Sequence, residues 1–464
     1  MEKRNYLRGS SLSQLFGTDG IRGIINEELS PMLALKIGLA TGTLFGAGAR
    51  VLIGRDSRAG GEMLSKAIEA GLLATGVKVY DAGLIPTPAL QYVVKEDGFD
   101  GGIIITASHN PPEYNGIKVI DFDGVELPRE KEVIIEELVF TEKYKMASWA
   151  SLTQDVKPYP HALEKYVKAI VSHVDAELIK RKSFRILIDP ANSVGALASP
   201  RVAQMLGAKV WTINGDLSPY FLGRHPEPTP ETLVETAKVA KSLNVDLAIA
   251  HDADADRAIV IDDQANVQWG DRTAAVLAKY LAEKHLDLPR RVFTAVSSSN
   301  LVEEYLKPIG VEVVWLKVGS IGIARALMSK GGICGFEENG GFMYPLHHPV
   351  RDGAMTLALL LELMAVEGRK LSEIYGDLPK YYALKTKFRM DKAKAFKAVE
   401  AVREYFKNYR QVNIDGVRVV GDDFWLLVRP SGTEPLLRVM IEARSVDRAK
   451  ELLREVESIV GGLS

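Results

Sequence analysis

A serine and a histidine stand side by side in Thr106-Ala-Ser-His-Asn-Pro-Pro-Glu-Tyr-Asn-Gly-Ile-Lys118, which offers the Ser108 hydroxyl, the His109 imidazole, a stiff Pro-Pro corner and the Lys118 ammonium. A hydroxyl is a weak nucleophile unless something takes its proton or stabilises a group already attached to it. His251-Asp-Ala-Asp-Ala-Asp-Arg257 offers such a partner. Alternate residues share a direction in extended chain, so Asp252, Asp254 and Asp256 are predicted to converge on one hard cation. Without a cation, carboxylates this close repel and raise each other's pKa. A calcium EF-hand wants glycine at its sixth position and glutamate at its twelfth, where this chain has Arg257 and Asp263. Mg²⁺ fits better, because its incomplete protein shell leaves room for a phosphate oxygen. The competing reading is a solvated acidic turn.

Arg429-Pro-Ser-Gly-Thr-Glu-Pro435 combines a guanidinium, two hydroxyls and a glycine that exposes backbone N–H groups. Arg429, Ser431, Gly432 and Thr433 thus make a candidate phosphate cradle, although Pro-Ser-Gly-Thr is also a good turn. Gly335-Phe-Glu-Glu-Asn-Gly-Gly341 places carboxylates and an amide on a glycine-rich loop suited to sugar hydroxyls, or is simply a loop. Arg22, Arg55 and Arg58 add positive charge near turn ends, with structural pairing to Asp19 and Asp56 as the alternative. Gly42, Gly46 and Gly48 precede no phosphate-loop Lys-Ser/Thr, and no Gly-x-Ser-x-Gly elbow surrounds Ser108. His347-His348 lacks metal-ligand spacing and is expected in a surface turn, and Cys334 is expected to be a buried, inert thiol.

These groups need a scaffold. At 464 residues the chain exceeds one core and implies three or four domains. Its 47% hydrophobic and 25% charged residues are ordinary for a globular protein. With 58 Lys+Arg against 60 Asp+Glu, no basic excess points to nucleic acid. One cysteine excludes an internal disulfide, the first residues lack a signal-peptide core, and the apolar helix at 354–366 is too short to span a bilayer. A cytoplasmic protein without nucleic-acid or membrane partners is expected. Three segments repeat one plan of apolar strand, helix, glycine stop and second strand: 50–79, 184–210 and 291–313. They predict three related α/β domains. After them, strands at 417–420, 425–428 and 437–442 between helices at 400–406 and 448–457 predict an α+β domain. Boundaries are expected near Trp149, at 257–262 and at 367–375, dividing the chain as 1–150, 151–257, 258–370 and 371–464.

The four loops, in this order, resemble those of the α-D-phosphohexomutases, the family of phosphoglucomutase/phosphomannomutase and phosphoglucosamine mutase. TASHNPPEYNGIK is similar to the family's phosphoserine loop, DADADR to its metal loop, FEENGG to its sugar-recognition loop and RPSGTEP to its phosphate-binding loop. Within the third, Phe336 stands where many members have glycine, Asn339 where many bacterial members have serine, and Gly341 where they often have histidine. The resemblance implies four domains around a central cleft, one loop on each. It implies that Ser108 carries a phosphoryl group and joins Asp252, Asp254 and Asp256 on Mg²⁺. His109 and Lys118 would move protons or stabilise the transferred phosphate, and Arg22 and Arg257 would hold charge beside it. Glu337 and Asn339 would bind sugar hydroxyls, and Arg429, Ser431, Gly432 and Thr433 the non-reacting phosphate. The implied reaction interconverts hexose 1- and 6-phosphates through a 1,6-bisphosphate, which also serves as activator. The Pro-Pro-Glu-Tyr-Asn-Gly stretch favours glucose and mannose phosphates, whereas Phe16-Gly-Thr-Asp-Gly-Ile-Arg-Gly is similar to the glucosamine branch, the alternative. A phosphosugar phosphatase and a non-catalytic phosphosugar-binding module are the more distant alternatives.

Overall fold

The computed structural model describes residues 14–152, 155–431 and 434–462. Four sheets organise them. In the first, β1 (Ile21–Ile24), β2 (Arg50–Arg55), β3 (Lys78–Leu84), β4 (Gly101–Ile105), β5 (Tyr114–Asp121) and β6 (Lys157–Pro158) lie in the order β1-β5-β4-β2-β3-β6. The second holds β7 (Arg185–Asp189), β8 (Lys209–Thr212), β9 (Leu247–Ala250), β10 (Ile259–Asp262) and β11 (Val267–Gln268) in the order β11-β10-β9-β7-β8. The third orders β12 (Arg291–Ala295), β13 (Glu312–Leu316), β14 (Cys334–Phe336), β15 (Phe342–Tyr344) and β16 (His348–Arg351) as β13-β12-β14-β15-β16. The fourth comprises β17 (Tyr382–Arg389), β18 (Arg410–Val412), β19 (Val417–Val420), β20 (Phe424–Pro430) and β21 (Leu436–Ala443), ordered β17-β21-β20-β19-β18.

The repeat legible in the sequence is the parallel unit of the first three sheets: β2 with β3, β7 with β8 and β12 with β13. Each pair is joined through a helix, as parallel neighbours require. The fourth sheet pairs antiparallel throughout, with the helices Lys392–Tyr405 and Val446–Gly461 on its core. The chain is therefore α/β in three units and α+β in the last.

The boundaries need correction. The second sheet runs on through β10 and β11, so a cut at 257–262 would strip two strands from it. β6 belongs to the first sheet although it lies past Trp149, and the helix Leu371–Gly376 packs on the helix Gly270–Lys284 of the third unit. These short elements carry too little periodicity to be assigned from sequence.

One continuous core runs through the first three units, from Leu52 and Ile104 through Ile186 and Ile249 to the helix Gly353–Glu367. That helix is apolar on every side because other helices surround it, and Asp352 caps it through the Met355 N–H. The fourth unit has its own core and meets the third through Val296, Trp425 and Leu427, through Arg418 donating to the Val296 and Ser298 carbonyls, and through ion pairs of Arg410 with Glu303 and Arg444 with Glu304. No helix among the described residues is long and apolar enough to cross a membrane.

Candidate active site

Two loops meet where their strands end. β4, buried along its length, delivers Thr106 to Asn110 at its carboxyl end, and β9 delivers His251 to Arg257 at its own. Open α/β sheets concentrate their chemistry at this edge. Ser108 is buried with φ 50°, a left-handed conformation that costs a non-glycine residue about 1–2 kcal/mol. The surroundings hold it there. The Ser108 N–H donates to Thr106 Oγ1 at 2.8 Å, and that hydroxyl donates to Asp56 Oδ2 at 2.6 Å. Arg58 donates to the carbonyls of Ser108, Asn110, Pro111 and Tyr114, so one guanidinium staples the loop from beneath. Arg58 and Asp56 do form the ion pair expected of them, at 3.2 Å, and the pair serves the loop.

So held, Ser108 Oγ points at Asp252 Oδ2, 2.6 Å away, and lies 3.4 Å from His109 Nδ1. The three aspartates offer carboxylate oxygens that all fall within 4.8 Å of one another. They do not converge by strand alternation. The segment is a turn with Ala255 at φ 60°, beyond the last residue of β9, and no pleat operates there. Tertiary contacts shape it instead. Thr87 N–H donates to Asp254 O, Ala258 N–H to Gly340 O and Gly353 N–H to Ala255 O, while buried His251 spans from Ser199 Oγ to Arg257 O.

The cluster fits a cation. Asp254 Oδ2 accepts from Thr87 Oγ1 at 2.7 Å and Lys118 Nζ at 3.0 Å. Asp256 Oδ2 is held by Lys118 at 3.3 Å and Arg351 at 2.6 Å. The Oδ1 atoms of both are buried without any hydrogen-bond partner. Two unsatisfied anionic oxygens beside the Ser108–Asp252 contact are what a hard cation would use. Burial first, then Asp254 and Asp256, pushes Asp252 well above the usual carboxylate range. Burial would do the same to Asp254, but the Lys118 ammonium and the Thr87 hydroxyl outweigh it and hold that carboxyl low. Burial also opposes the Lys118 charge, yet Asp19, Asp254 and Asp256 prevail and keep it an ammonium. His109 is depressed by the Arg257 guanidinium first, then by burial and Arg22, so its imidazole is neutral at physiological pH.

Arg22 on β1 pairs with Asp19 at 2.9 Å, the structural pairing named as the alternative, and donates to Asn110 Oδ1 at 2.6 Å, which places it beside the Ser108 loop. Buried Arg257 places its Nε 3.9 Å from Asp252 and 4.0 Å from Asp256, ion pairs too long for a hydrogen bond. Glu337 reaches the cluster through Arg351, 3.2 Å away. Asn339 uses its side-chain oxygen on the Gly341 N–H at 3.2 Å and braces its own loop. Among the described residues no hydrogen bond or ion pair joins Arg429 or Ser431 to the serine–aspartate cluster. Arg429 pairs with Asp415 at 3.0 Å, and Asp415 also accepts from Val318 N–H. A cleft of about 450 Å³ runs there, lined by Gly17, Thr18, Lys317, Val318, Gly319 and Ile414. Gly432 and Thr433 lie outside the described residues.

Sequence reasoning missed Arg351 and Thr87, and saw Asp19 only as a partner for Arg22. Asp19 accepts from Lys118 and Arg351 as well. No local pattern marks these residues, because only the packing of separate units brings them to the aspartates. The His347-His348 pair is a correction: both are buried, not in a surface turn. His347 stacks on Tyr92, and His348 Nε2 donates to Gly124 O at 3.1 Å, tying the third unit to the first. Cys334 is buried on β14, and burial pushes its thiol up.

Comparison with known proteins agrees with this architecture. Models of phosphoglucomutase/phosphomannomutase alpha/beta/alpha domains I, II and III match residues 13–146, 164–266 and 269–382, and that of the C-terminal domain matches 386–459. The chain belongs to the phosphoglucomutase/phosphomannomutase family, the α-D-phosphohexomutases. It is 53% identical to a phosphoglucosamine/phosphogalactosamine mutase of Sulfurisphaera tokodaii, over 97% of this chain and 100% of that one. It is 42% identical to a phosphoglucomutase/phosphomannomutase of Thermococcus kodakarensis, over 95% and 97% of the two chains. A family member from Burkholderia thailandensis shares the fold with a TM-score of 0.86 at 24% identity, covering 97% of this chain and 98% of that one.

Proposed function

We propose that this chain is a phosphohexomutase whose preferred substrates are hexosamine phosphates, interconverting the 1- and 6-phosphates of glucosamine. The observation that carries the reaction is Ser108 Oγ at 2.6 Å from Asp252, inside a buried trio of aspartates with two unpartnered oxygens. What supports the sugar is the 53% identity to a phosphoglucosamine/phosphogalactosamine mutase, which outweighs the loop likeness that favoured glucose and mannose. The 42% identity to a phosphoglucomutase/phosphomannomutase keeps those two sugars as the second reading.

In this reading Ser108 carries a phosphoryl group and gives it to a free hydroxyl of the bound monophosphate. The P–Oγ bond breaks, a P–O bond to the sugar forms, and the hydroxyl proton passes through neutral His109 to Ser108 Oγ. The bisphosphate then turns over in the cleft and returns its other phosphoryl group to Ser108 by the reverse steps. Asp252, Asp254, Asp256 and the Ser108 oxygen would hold Mg²⁺, which supplies positive charge where phosphoryl negative charge accumulates. Lys118, Arg22 and Arg257 add fixed positive charge at the same place. Glu337, with Asn339 bracing its loop, reads sugar hydroxyls. Arg429, Ser431, Gly432 and Thr433 grip the non-reacting phosphate from the fourth unit, which has its own core, and closure of that unit over the cleft would exclude water.

The deciding experiment measures kcat/KM for glucosamine, galactosamine, glucose and mannose 1-phosphates with Mg²⁺ and a trace of the matching bisphosphate. Amino-sugar rates tenfold or more above the neutral sugars support the proposal. Equal or better rates with glucose and mannose favour the second reading, and phosphate release without isomerisation removes both. Ser108→Ala should lose at least about 10³-fold in kcat and take up no label from ³²P-bisphosphate.

A further inference from the structure

We propose that Arg351 is a positioning residue for sugar recognition, fixing the Glu337 carboxylate against the aspartate cluster so that Glu337 meets the sugar with one defined oxygen. This rests on the mutase reading and adds a residue that neither the motifs nor the loop assignments include.

Arg351 ends β16, and its guanidinium is buried. One edge lies 2.6 Å from Asp256 Oδ2 and 2.9 Å from Asp19 Oδ2, and NH1 lies 3.2 Å from Glu337 Oε2. These carboxylates come from three loops distant in sequence. Lys118 reaches Asp19, Asp254 and Asp256, but among the described residues only Arg351 forms an ion pair with Glu337. A planar guanidinium can bridge acceptors on two sides in fixed directions, which an ammonium on a flexible stem cannot.

The sugar loop is built around this side chain. A Cβ at Gly341 would come within 2.4 Å of Arg351 Cδ and 2.8 Å of its Cγ, so Gly341 leaves room for the arginine stem. Glu337 N–H donates to Gly341 O at 2.9 Å, which sets the glutamate backbone next to that stem. Behind Arg351, Asp352 accepts from Met355 N–H at 2.9 Å and Tyr166 OH at 2.6 Å, so the root of the side chain is anchored. With Oε2 held by Arg351, Glu337 keeps its other oxygen for the ligand. An unheld glutamate samples several rotamers, and ordering it on binding weakens affinity. The same guanidinium holds Asp256 Oδ2 and leaves Oδ1 of that residue unpartnered. Sugar reader and aspartate cluster therefore share one rigid reference.

The test is a double-mutant cycle of Arg351→Met and Glu337→Gln on kcat/KM for glucosamine 1-phosphate, with Gly341→Ala and Arg351→Lys beside it. Sugar-phosphate Kd is measured by calorimetry in a Ser108→Ala background, which needs no turnover. Arg351→Met should lower kcat/KM and weaken Kd by about ten- to a hundredfold, the scale of one charge-assisted hydrogen bond. Glu337→Gln should then cost less than about twofold more. Gly341→Ala, which displaces the stem while keeping every charge, should reproduce most of the loss, and Arg351→Lys should recover only part. Multiplicative losses in the cycle, or unchanged Kd in Arg351→Met, would overturn the proposal. If Arg351→Met does not fold, wild-type Kd and kcat/KM in Gly341→Ala overturn it equally. An active wild type with those outcomes leaves the mutase reading standing, whereas a wild type that isomerises no sugar phosphate removes both.

Discussion

Lys118 is the cation on which the aspartate cluster leans, and Lys118→Met removes its charge while keeping a similar length. Three carboxylates lose a partner: Asp254 at 3.0 Å, Asp19 at 3.2 Å and Asp256 at 3.3 Å. Arg351 still serves Asp19 and Asp256, so the loss falls mainly on Asp254, whose Oδ2 keeps only the Thr87 hydroxyl. Breaking a buried ion pair by deleting one partner costs about 3–5 kcal/mol. At pH 8 in chelator the variant should be destabilised by about 3 kcal/mol, which lowers a urea midpoint by up to about 1 M. The sign with pH follows from Asp254. Its folded pKa lies below its ordinary 3.8, so the stability it contributes is present above that value and lost as pH falls. The variant lacks that contribution, so the gap between the two proteins should stay open down to about pH 4 and close only as pH falls below it. Mg²⁺ should stabilise the variant more than the wild type, since it meets the same carboxylates without a competing ammonium. Urea unfolding followed by tryptophan fluorescence, with and without Mg²⁺, reads all three effects. A variant within about 1 kcal/mol of wild type in chelator at pH 8 would refute the electrostatic reasoning. So would a Mg²⁺ shift no larger than that of wild type.

Arg58→Met should cut kcat by about a hundredfold by releasing four carbonyls of the Ser108 loop, and limited proteolysis should then cleave within 108–114. Unchanged kcat would show that the loop holds its shape without the staple. His348 is buried neutral, with burial lowering its pKa from 6.5 to about 3. The unfolded chain takes up a proton below pH 6.5 while the fold refuses it, so stability present above that pH is lost as pH falls towards 3. His348→Gln should flatten this part of the profile by up to about 3 kcal/mol, read as urea midpoints between pH 7 and 4. A wild-type slope in that variant would place the titration elsewhere. Cys334, fully buried with its thiol pushed up by burial, should react with a thiol reagent only at the rate of unfolding.

Much of this was legible because it is written locally. β4 announces itself as Gly-Gly-Ile-Ile-Ile, buried along its length, and a loop after such a strand falls at the reactive edge of the sheet whatever surrounds it. The parallel pairs showed as strand, helix, glycine and strand, since each unit carries its own stop signals. The aspartate trio was found for a partly mistaken reason: the carboxylates meet because contacts from three units fold a turn, and strand alternation plays no part. β17 and β18, and the two strands that complete the second sheet, were missed. The short ones have no period to detect, whereas β17 carries a clear alternation of Leu384, Thr386 and Phe388 with Lys385, Lys387 and Arg389 that could have revealed it.

The sequence by itself determined the candidate reacting groups, their order along the chain and the kind of scaffold that presents them. Residue types and short spacings carry that information, and they act over a few residues. Only the tertiary structure decided that Lys118 stays charged, that His109 stays neutral, and that one oxygen on each of two aspartates lacks a hydrogen bond. It also decided that Arg351 joins Glu337 to Asp256 across residues far apart in sequence. Charge state and reach depend on burial and on the sum of nearby charges, and both exist only once separate units have packed together.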